Sequence, residues 1–304
     1  MKKLLAVLLA TLSLSAFAGK IIPIVWPAAT GAAQANYIRV IIDQANKDQD
    51  KYTFIYDNKP GAGGTVAAKY VEAYNGIALL SYSSSYFIRP VFYPNESFNT
   101  ADFKPVLIEC TGQPYSIVSV KYKSLEEIRR EKDLTIGVLL GSLTEANARE
   151  LQTLLPNTHL TFVGYNGTLQ STQEVMAGRL DLNVDLPSEL KPWVDAGKIT
   201  VLGASGTKEY PGLPTWNSKG IKGFSDLVSN YQMVVHGSKV DEPTRQELHE
   251  ILRKAARTAP GLQELYDSDR CTRADVDLKT TDALYAKWSK YWPDKLSNLK
   301  QVGN

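Results

Sequence analysis

The chain has 304 residues, of which 43% are hydrophobic and 22% are charged, with 34 basic and 32 acidic side chains. At ~150 residues per domain this length predicts two domains, and the ordinary hydrophobicity argues against a disordered chain or a multispanning membrane protein. A formal charge of +2 does not provide the basic surface that binding to nucleic acid requires.

The N-terminus has the pattern of a secretory signal peptide. Lys2 and Lys3 precede an apolar run over residues 4–14, and Ala16-Phe17-Ala18 offers the small residues of a signal-peptidase site. The run is shorter than the ~20 apolar residues that span a bilayer. We therefore predict an exported protein that is cleaved after Ala18, leaving 32 basic and 32 acidic residues.

Export would place the two cysteines, Cys110 and Cys271, in an oxidising compartment. A disulfide between them would close a loop of about 160 residues and contribute ~5 kcal/mol in the chain-entropy model. The alternative is two separate buried thiols, and the sequence leaves both open. The spacing of cysteines and histidines does not suggest a zinc site, so no metal is predicted.

Strands alternate with helices along the rest of the chain. Apolar runs predict strands over residues 21–26, 52–56, 77–82, 134–138, 160–163, 180–184 and 199–203. Helices are predicted around Ile38, over residues 64–73, after the Ser124 capping position, after Asp241 and around Trp288. Such alternation is typical of α/β sheets with mostly parallel strands, in which ligands bind at the carboxyl ends of the strands.

Catalytic and cofactor motifs are missing from the sequence. It contains three histidines and has no GxSxG, HExxH or GxxxxGK[ST] motif. Gly61-Ala62-Gly63-Gly64 faintly resembles a dinucleotide-binding loop, but the third glycine does not have the required spacing. A tight turn between a strand and a helix is the favoured interpretation, and we predict neither a cofactor nor enzymatic activity.

Four loops rich in glycine and hydroxyl residues follow predicted strands and precede helices. Backbone N–H groups at helix starts bind carboxylates and phosphates without the help of arginine. The loops are Ala28-Ala29-Thr30-Gly31, Ser83-Ser84-Ser85, Gly141-Ser142 and Tyr165-Asn166-Gly167-Thr168. Each alone is typical of an ordinary connection, whereas four at strand ends indicate a protein that binds a small anion.

Four further patterns occur in a recognisable order. They are Asn58-Lys59-Pro60-Gly61-Ala62-Gly63-Gly64, the stretch from Val163 to Asp185, Ala196-Gly197-Lys198 and Leu213-Pro214-Thr215. With these motifs, the sequence resembles the periplasmic substrate-binding proteins of tripartite tricarboxylate transporters, and the resemblance covers nearly the whole chain after residue 18.

The resemblance implies a two-lobed α/β clamshell with two mixed, mostly parallel sheets flanked by helices. Lobe 1 would comprise residues 19–118 and 232–304, and lobe 2 residues 119–231. The family implies a periplasmic monomer that captures a small organic carboxylate between the lobes and delivers it to membrane permease subunits.

Ligand contacts are expected on loops of both lobes. The stretch from Tyr165 to Thr168 and Asp185 match the family pattern, while the loop over residues 27–39 is longer than the family's and lacks its aspartate. Asp185 has an alternative role as a cap of the following helix. The candidate set is Trp26, Ala28, Ala29, Thr30, Ser83, Ser84, Ser142, Thr144, Tyr165, Asn166, Gly167, Thr168 and Asp185.

Two other classes of function stay open at the level of sequence. One is a binding protein of another importer, such as an ABC system for an amino acid or an inorganic anion. The other is an exported α/β hydrolase, which the missing nucleophile elbow and the few histidines disfavour. A ligand screen distinguishes the first class and an ester-cleavage assay the second.

Overall fold

The structure, a computed structural model, describes residues 19–28 and 33–300. The predicted signal peptide with its Ala18 cleavage site and the candidate residues Ala29 and Thr30 lie outside the described residues. Two mixed sheets with flanking helices form the described part of the chain.

The first sheet contains six strands. They are Lys20–Trp26 (β1), Tyr52–Asn58 (β2), Leu79–Tyr82 (β3), Phe103–Gln113 (β4), Ser229–His236 (β10) and Thr272–Arg273 (β11), in the spatial order β11-β4-β10-β3-β1-β2. β1 runs parallel to β2 and β3, whereas β10 runs antiparallel to β3 and β4. Ile22, Ile24 and Val25 of β1 are buried, because helices cover both faces of a sheet of this kind.

The second sheet contains five strands. They are Ser116–Ser119 (β5), Asp133–Val138 (β6), His159–Gly164 (β7), Leu182–Asp185 (β8) and Thr200–Ala204 (β9), in the order β7-β6-β8-β5-β9. β6 is parallel to β7 and β8, and β5 is antiparallel to β8 and β9.

The described part of the chain contains ten α-helices, and four of them begin at a side-chain cap. They are Ala33–Asp48 (α1), Thr65–Ala73 (α2), Ser85–Phe92 (α3), Leu125–Ile128 (α4), Leu143–Thr153 (α5), Thr168–Met176 (α6), Pro187–Asp195 (α7), Glu242–Thr258 (α8), Leu262–Ser268 (α9) and Leu278–Leu296 (α10). Side chains of Ser124, Ser142, Asp241 and Asp277 accept N–H bonds from the first turns of α4, α5, α8 and α10. None of the helices in the described ranges is long and apolar enough to cross a bilayer.

The mixed α/β fold class is confirmed, but parallel pairing is less dominant than the sequence predicts. Among the described strands, four pairs are parallel and five are antiparallel. The antiparallel pairs all involve β4, β5, β10 or β11. Strands that enter a sheet without a crossover helix are free to pair in this way.

The chain passes between the sheets twice, at residues 114–115 and over residues 205–228. The boundaries expected from sequence, after residues 118 and 231, therefore fall inside β5 and β10. One continuous hydrophobic cluster joins the two sides and includes Leu80 and Ile88 of the first and Ile136 and Leu143 of the second.

A disulfide joins Cys110 in β4 to Cys271, which directly precedes β11, with the two Cα atoms 5.6 Å apart. Both residues are buried. Of the two alternatives that the sequence leaves open, the structure contains the bridge, and it attaches the segment between α9 and α10 to the edge of the first sheet.

Candidate ligand-binding site

A cavity of about 600 Å³ lies between the two sheets. Its walls come from the segments that follow β1, β2 and β3 on one side and β6 and β7 on the other. This is the carboxyl edge of the parallel strands, where α/β proteins bind ligands, and the volume is typical of small-molecule sites.

The structure brings together most of the described candidate residues. Those that line the cavity are Trp26, Ala28, Ser83, Ser142, Thr144, Tyr165, Asn166, Gly167 and Thr168. Ser84 and Asp185 do not line it. The strands therefore place loops that are distant in sequence around one space.

The glycine-rich motif after β2 shapes one wall. The Asn58 amide donates hydrogen bonds to the carbonyl oxygens of Trp26, at 3.0 Å, and of Ala28, at 2.7 Å, and so holds the segment that follows β1. Gly64 adopts φ +91°, and a Cβ atom there would lie 2.5 Å from the Tyr82 ring. A side chain at this position would collide with the wall of the cavity.

Ser84 has a structural role at the start of α3. Its side chain is buried, and its Oγ accepts a hydrogen bond from the Asn230 backbone N–H at 3.0 Å. This contact ties the start of α3 to β10 behind the cavity.

Asp185 is buried at the end of β8. Its carboxylate accepts hydrogen bonds from Thr172 Oγ1 and from the Leu186 backbone N–H, each at 2.7 Å. Burial, and next the nearby Glu189 carboxylate, raise the pKa of Asp185 well above its usual range. The N-cap of α7 is Leu186 rather than Asp185, so the aspartate links α6 to the start of α7.

The start of α5 contacts both sides of the cavity. Ser142 Oγ accepts the Thr144 N–H at 3.1 Å, and Thr144 Oγ1 accepts the Leu139 N–H at 2.8 Å. The Leu143 N–H donates to Ser85 Oγ of the first side at 3.1 Å. The hydroxyl groups of Ser142 and Thr144 therefore order the helix start, and the contact across the cleft is made by the Leu143 N–H and the Ser85 hydroxyl.

The loop after β7 forms the opposite wall. Gly167 is the N-cap of α6, and Thr168 Oγ1 donates to Glu189 at 2.8 Å. The Tyr165 N–H donates to the Val138 carbonyl at 2.9 Å, which fixes this loop against the end of β6.

Of the residues that the structure describes, three charged side chains line the cavity, namely Arg89, Glu96 and Glu189. Arg89 is only 4% exposed; it pairs with Glu96 at 3.2 Å and lies over the Tyr93 ring, 4.2 Å from its centroid. Gly141 adopts φ +79°, and a Cβ atom there would come within 2.3 Å of Arg89 Cδ. Glycine is therefore required where the Arg89 side chain passes the second side.

Aromatic side chains make up much of the remaining lining. They are Trp26, Tyr82, Tyr93, Tyr115, Tyr165 and Tyr231. The indole N–H of Trp26 is buried and has no hydrogen-bond partner within the described part of the chain. Tyr82 donates its hydroxyl to the Gly63 carbonyl at 2.5 Å.

Sequence reasoning did not find several of the lining residues. Arg89 and Tyr231 lie inside a helix and a strand whose patterns resemble ordinary core. Glu189 carried one usable signal, because it lies in the first turn of the helix that follows a strand end. Within residues 19–28 and 33–300, no group of three His, Cys, Asp or Glu side chains could hold a metal ion.

Comparison with known proteins identifies the family. The model of the tripartite tricarboxylate transporter family receptors matches residues 38–287. The chain belongs to this family. A relative of this receptor, the UPF0065 protein in the TAR-I ttuE-ttuC' intergenic region of Agrobacterium vitis, is 25% identical over 283 residues, covering 88% of this chain and 80% of the relative.

Solved structures have the same fold as this receptor. The periplasmic binding protein BugD aligns with a TM-score of 0.81 at 19% identity, over 93% of this chain and 98% of BugD. The R. palustris protein Rpa4515, solved with adipate, gives 0.78 at 18% identity over 93% and 97% of the two chains. MatC from Rhodopseudomonas palustris, solved with malate, gives 0.74 at 20% identity over 91% and 98%.

Proposed function

We propose that this receptor captures a small organic carboxylate in the cavity between its sheets and delivers it to the membrane permease subunits of a tripartite transporter. It acts in the periplasm as a monomer, after removal of residues 1–18, and catalyses no reaction. We place lobe 1 at residues 19–118 and 232–304 and lobe 2 at residues 119–231, although residues 116–118 of β5 and 229–231 of β10 belong to the sheet on the other side of these boundaries.

The observation that carries this proposal is the position of the cavity between the two sheets. Loops from both sides line it, and the N-terminal ends of α5 and α6 adjoin it. Helix starts present positive potential and N–H groups to an anion. A ligand held from both sides stabilises the closed arrangement by the difference in its affinity for the closed and open forms.

The family and its solved members support a carboxylate as the ligand. The structures of Rpa4515 and MatC contain adipate and malate, and both acids carry carboxylates at the two ends of a short chain. The candidate residues that line the cavity, from Trp26 to Thr168, are the contacts that we propose for such a ligand.

A thermal-shift screen tests this function. The panel contains malate, adipate, citrate, octanoate and phenylacetate, together with amino acids, sulfate and phosphate. We expect at least one carboxylate to raise the melting temperature, since a ligand at a hundred times its Kd stabilises the folded state by about 2.7 kcal/mol. Stabilisation by amino acids or inorganic anions alone would favour another importer, and a panel without any effect would contradict the proposal.

Two tyrosine variants locate the effect. Tyr165 lines the cavity, whereas Tyr210 lies outside it, and both are half-buried. Tyr165→Ala is expected to lower the affinity for the carboxylate that the screen identifies about tenfold or more, because a large contact surface is lost. Tyr210→Ala serves as the matched control and should leave the affinity unchanged.

A further inference from the structure

The charges that line the cavity do not suit a ligand with several carboxylates. Among the described lining residues Arg89 is the one cation, and with Glu96 and Glu189 these three side chains have a formal sum of one negative charge. Arg89 is already paired with Glu96 at 3.2 Å. Within the described lining no further cationic side chain is available for a second or third carboxylate, which would add to the negative charge of the cavity.

The lining includes apolar side chains that are exposed. Across the described ranges, five large hydrophobic side chains are exposed, and two of them, Leu140 and Leu169, line the cavity. They are 39% and 55% exposed, and both belong to the second side. Leaving such side chains in water gives no stability, so two of them in the lining of one cavity are available to contact an apolar part of a ligand.

The size of the cavity admits such a ligand. A carboxylic acid that carries one aromatic ring has about ten non-hydrogen atoms, and at no more than the ~30 Å³ of a water molecule for each atom it needs about 300 Å³. The cavity holds about 600 Å³ and is bordered by six aromatic rings. The space beyond the carboxylate end therefore accepts a ring or a chain that contacts these walls.

Resting on the function proposed above, we infer that the ligand of this receptor is a carboxylate with a single anionic end and an apolar body at least the size of one aromatic ring. The carboxylate lies toward the helix starts, and the body lies against the tyrosine rings, Leu140 and Leu169. Acids with two or three charged ends are poorer ligands of this chain.

Three acids of matched size test the inference by titration calorimetry. Phenylacetate, octanoate and adipate each have about ten non-hydrogen atoms, so size-dependent affinity cancels. We expect phenylacetate or octanoate to bind the wild-type chain at least tenfold tighter than adipate. Tighter binding of phenylacetate than of octanoate indicates a ligand with an aromatic body, and the reverse order indicates an aliphatic body.

Variants of the two exposed leucines test whether these side chains contact the apolar body of the ligand. Leu169→Ser and Leu140→Ser should weaken the apolar acids about tenfold while leaving adipate unchanged. Ile55→Ser is the matched control, since Ile55 is 41% exposed on β2 and lies outside the cavity. Because all three side chains are exposed, the variants should fold.

The outcomes separate the inference from the proposed function. Tighter binding of adipate or citrate than of both apolar acids overturns the inference and leaves the carboxylate receptor intact. Leucine variants that bind the apolar acids as tightly as the Ile55→Ser control also overturn it. A wild-type chain that binds no acid of the panel overturns both.

Discussion

Glu109 is a carboxylic acid inside the first sheet. Its side chain is fully buried in β4, and its carboxylate accepts a hydrogen bond from Ser81 Oγ at 2.8 Å. Burial raises the pKa of Glu109 from 4.5 to about 7, although the Ser81 bond opposes this change. Near neutral pH the residue is therefore poised between its neutral and charged forms.

This residue makes stability depend on pH. Between pH 4.5 and 7 the folded chain retains a proton that the unfolded chain releases, so stability falls as the pH rises through that window. Above pH 7 the ionised carboxylate costs on the order of 3 kcal/mol. We expect Glu109→Gln to be more stable than the wild type at pH 8 and to show a flatter dependence between pH 5 and 8, measured by urea unfolding.

In Glu109→Gln the dependence of stability on pH should become weaker but should not disappear. Burial also raises the pKa values of Asp185 and Asp269, which act in the same direction. Identical pH profiles for the wild type and Glu109→Gln would show that Glu109 does not titrate in this range.

At the scale of the secondary-structure element, two helix caps allow an effect on stability to be separated from an effect on ligand affinity. Ser142 caps α5 at the cavity, and Asp241 caps α8 away from it, each accepting an N–H bond from the first turn. Hydrogen bonds from Thr244 lower the pKa of Asp241. The stabilisation by the charged carboxylate is therefore fully present at pH values above the ordinary pKa of aspartate, and it is lost as the pH falls through the lowered pKa.

Alanine at Ser142 should cost about 1 kcal/mol of unfolding free energy, and alanine at Asp241 should also lower stability. Ser142→Ala is also expected to weaken the ligand, because the start of α5 borders the cavity and its first N–H reaches Ser85. Asp241→Ala is the matched control and should retain full affinity. Chemical unfolding measures the loss of stability, and titration calorimetry measures the affinity. Equal ligand affinities of Ser142→Ala and Asp241→Ala would show that the order of the α5 start is irrelevant to binding.

At the scale of the whole molecule, the Cys110–Cys271 bridge closes a loop with a sequence separation of 161 residues. It holds the C-terminal segment against the first sheet. In the chain-entropy model a loop of this length contributes ~5 kcal/mol. The double variant Cys110→Ala, Cys271→Ala should therefore melt several degrees lower, with the ligand site intact.

Thiol titration provides the direct check of the bridge. The denatured, unreduced protein is expected to contain no free thiol, and reduction should release both. Two free thiols before reduction would contradict the bridge, while an unchanged melting temperature in the double variant would show that other contacts hold the C-terminal segment.

Local sequence patterns were sufficient to predict the strands and helices that alternate along the chain. The apolar run of β1 predicts a strand because both of its faces are covered, and Ser124 predicts the start of α4 because its hydroxyl accepts the Glu127 N–H. These features depend on neighbours within a few residues. The motif at Asn58 predicted a turn, and the structure adds that its side chain holds the segment after β1.

By itself, the sequence determined the alternating α/β plan, the family and the loops that carry the described candidates lining the cavity. Only the tertiary structure decided the antiparallel places of β4 and β10, the burial of Asp185 and Ser84, and the arrival of Arg89, Glu189 and Tyr231 at the cleft. The physical reason is distance along the chain. Periodicity and capping report contacts between near neighbours, whereas the site consists of segments that the two sheets bring together from positions more than 200 residues apart.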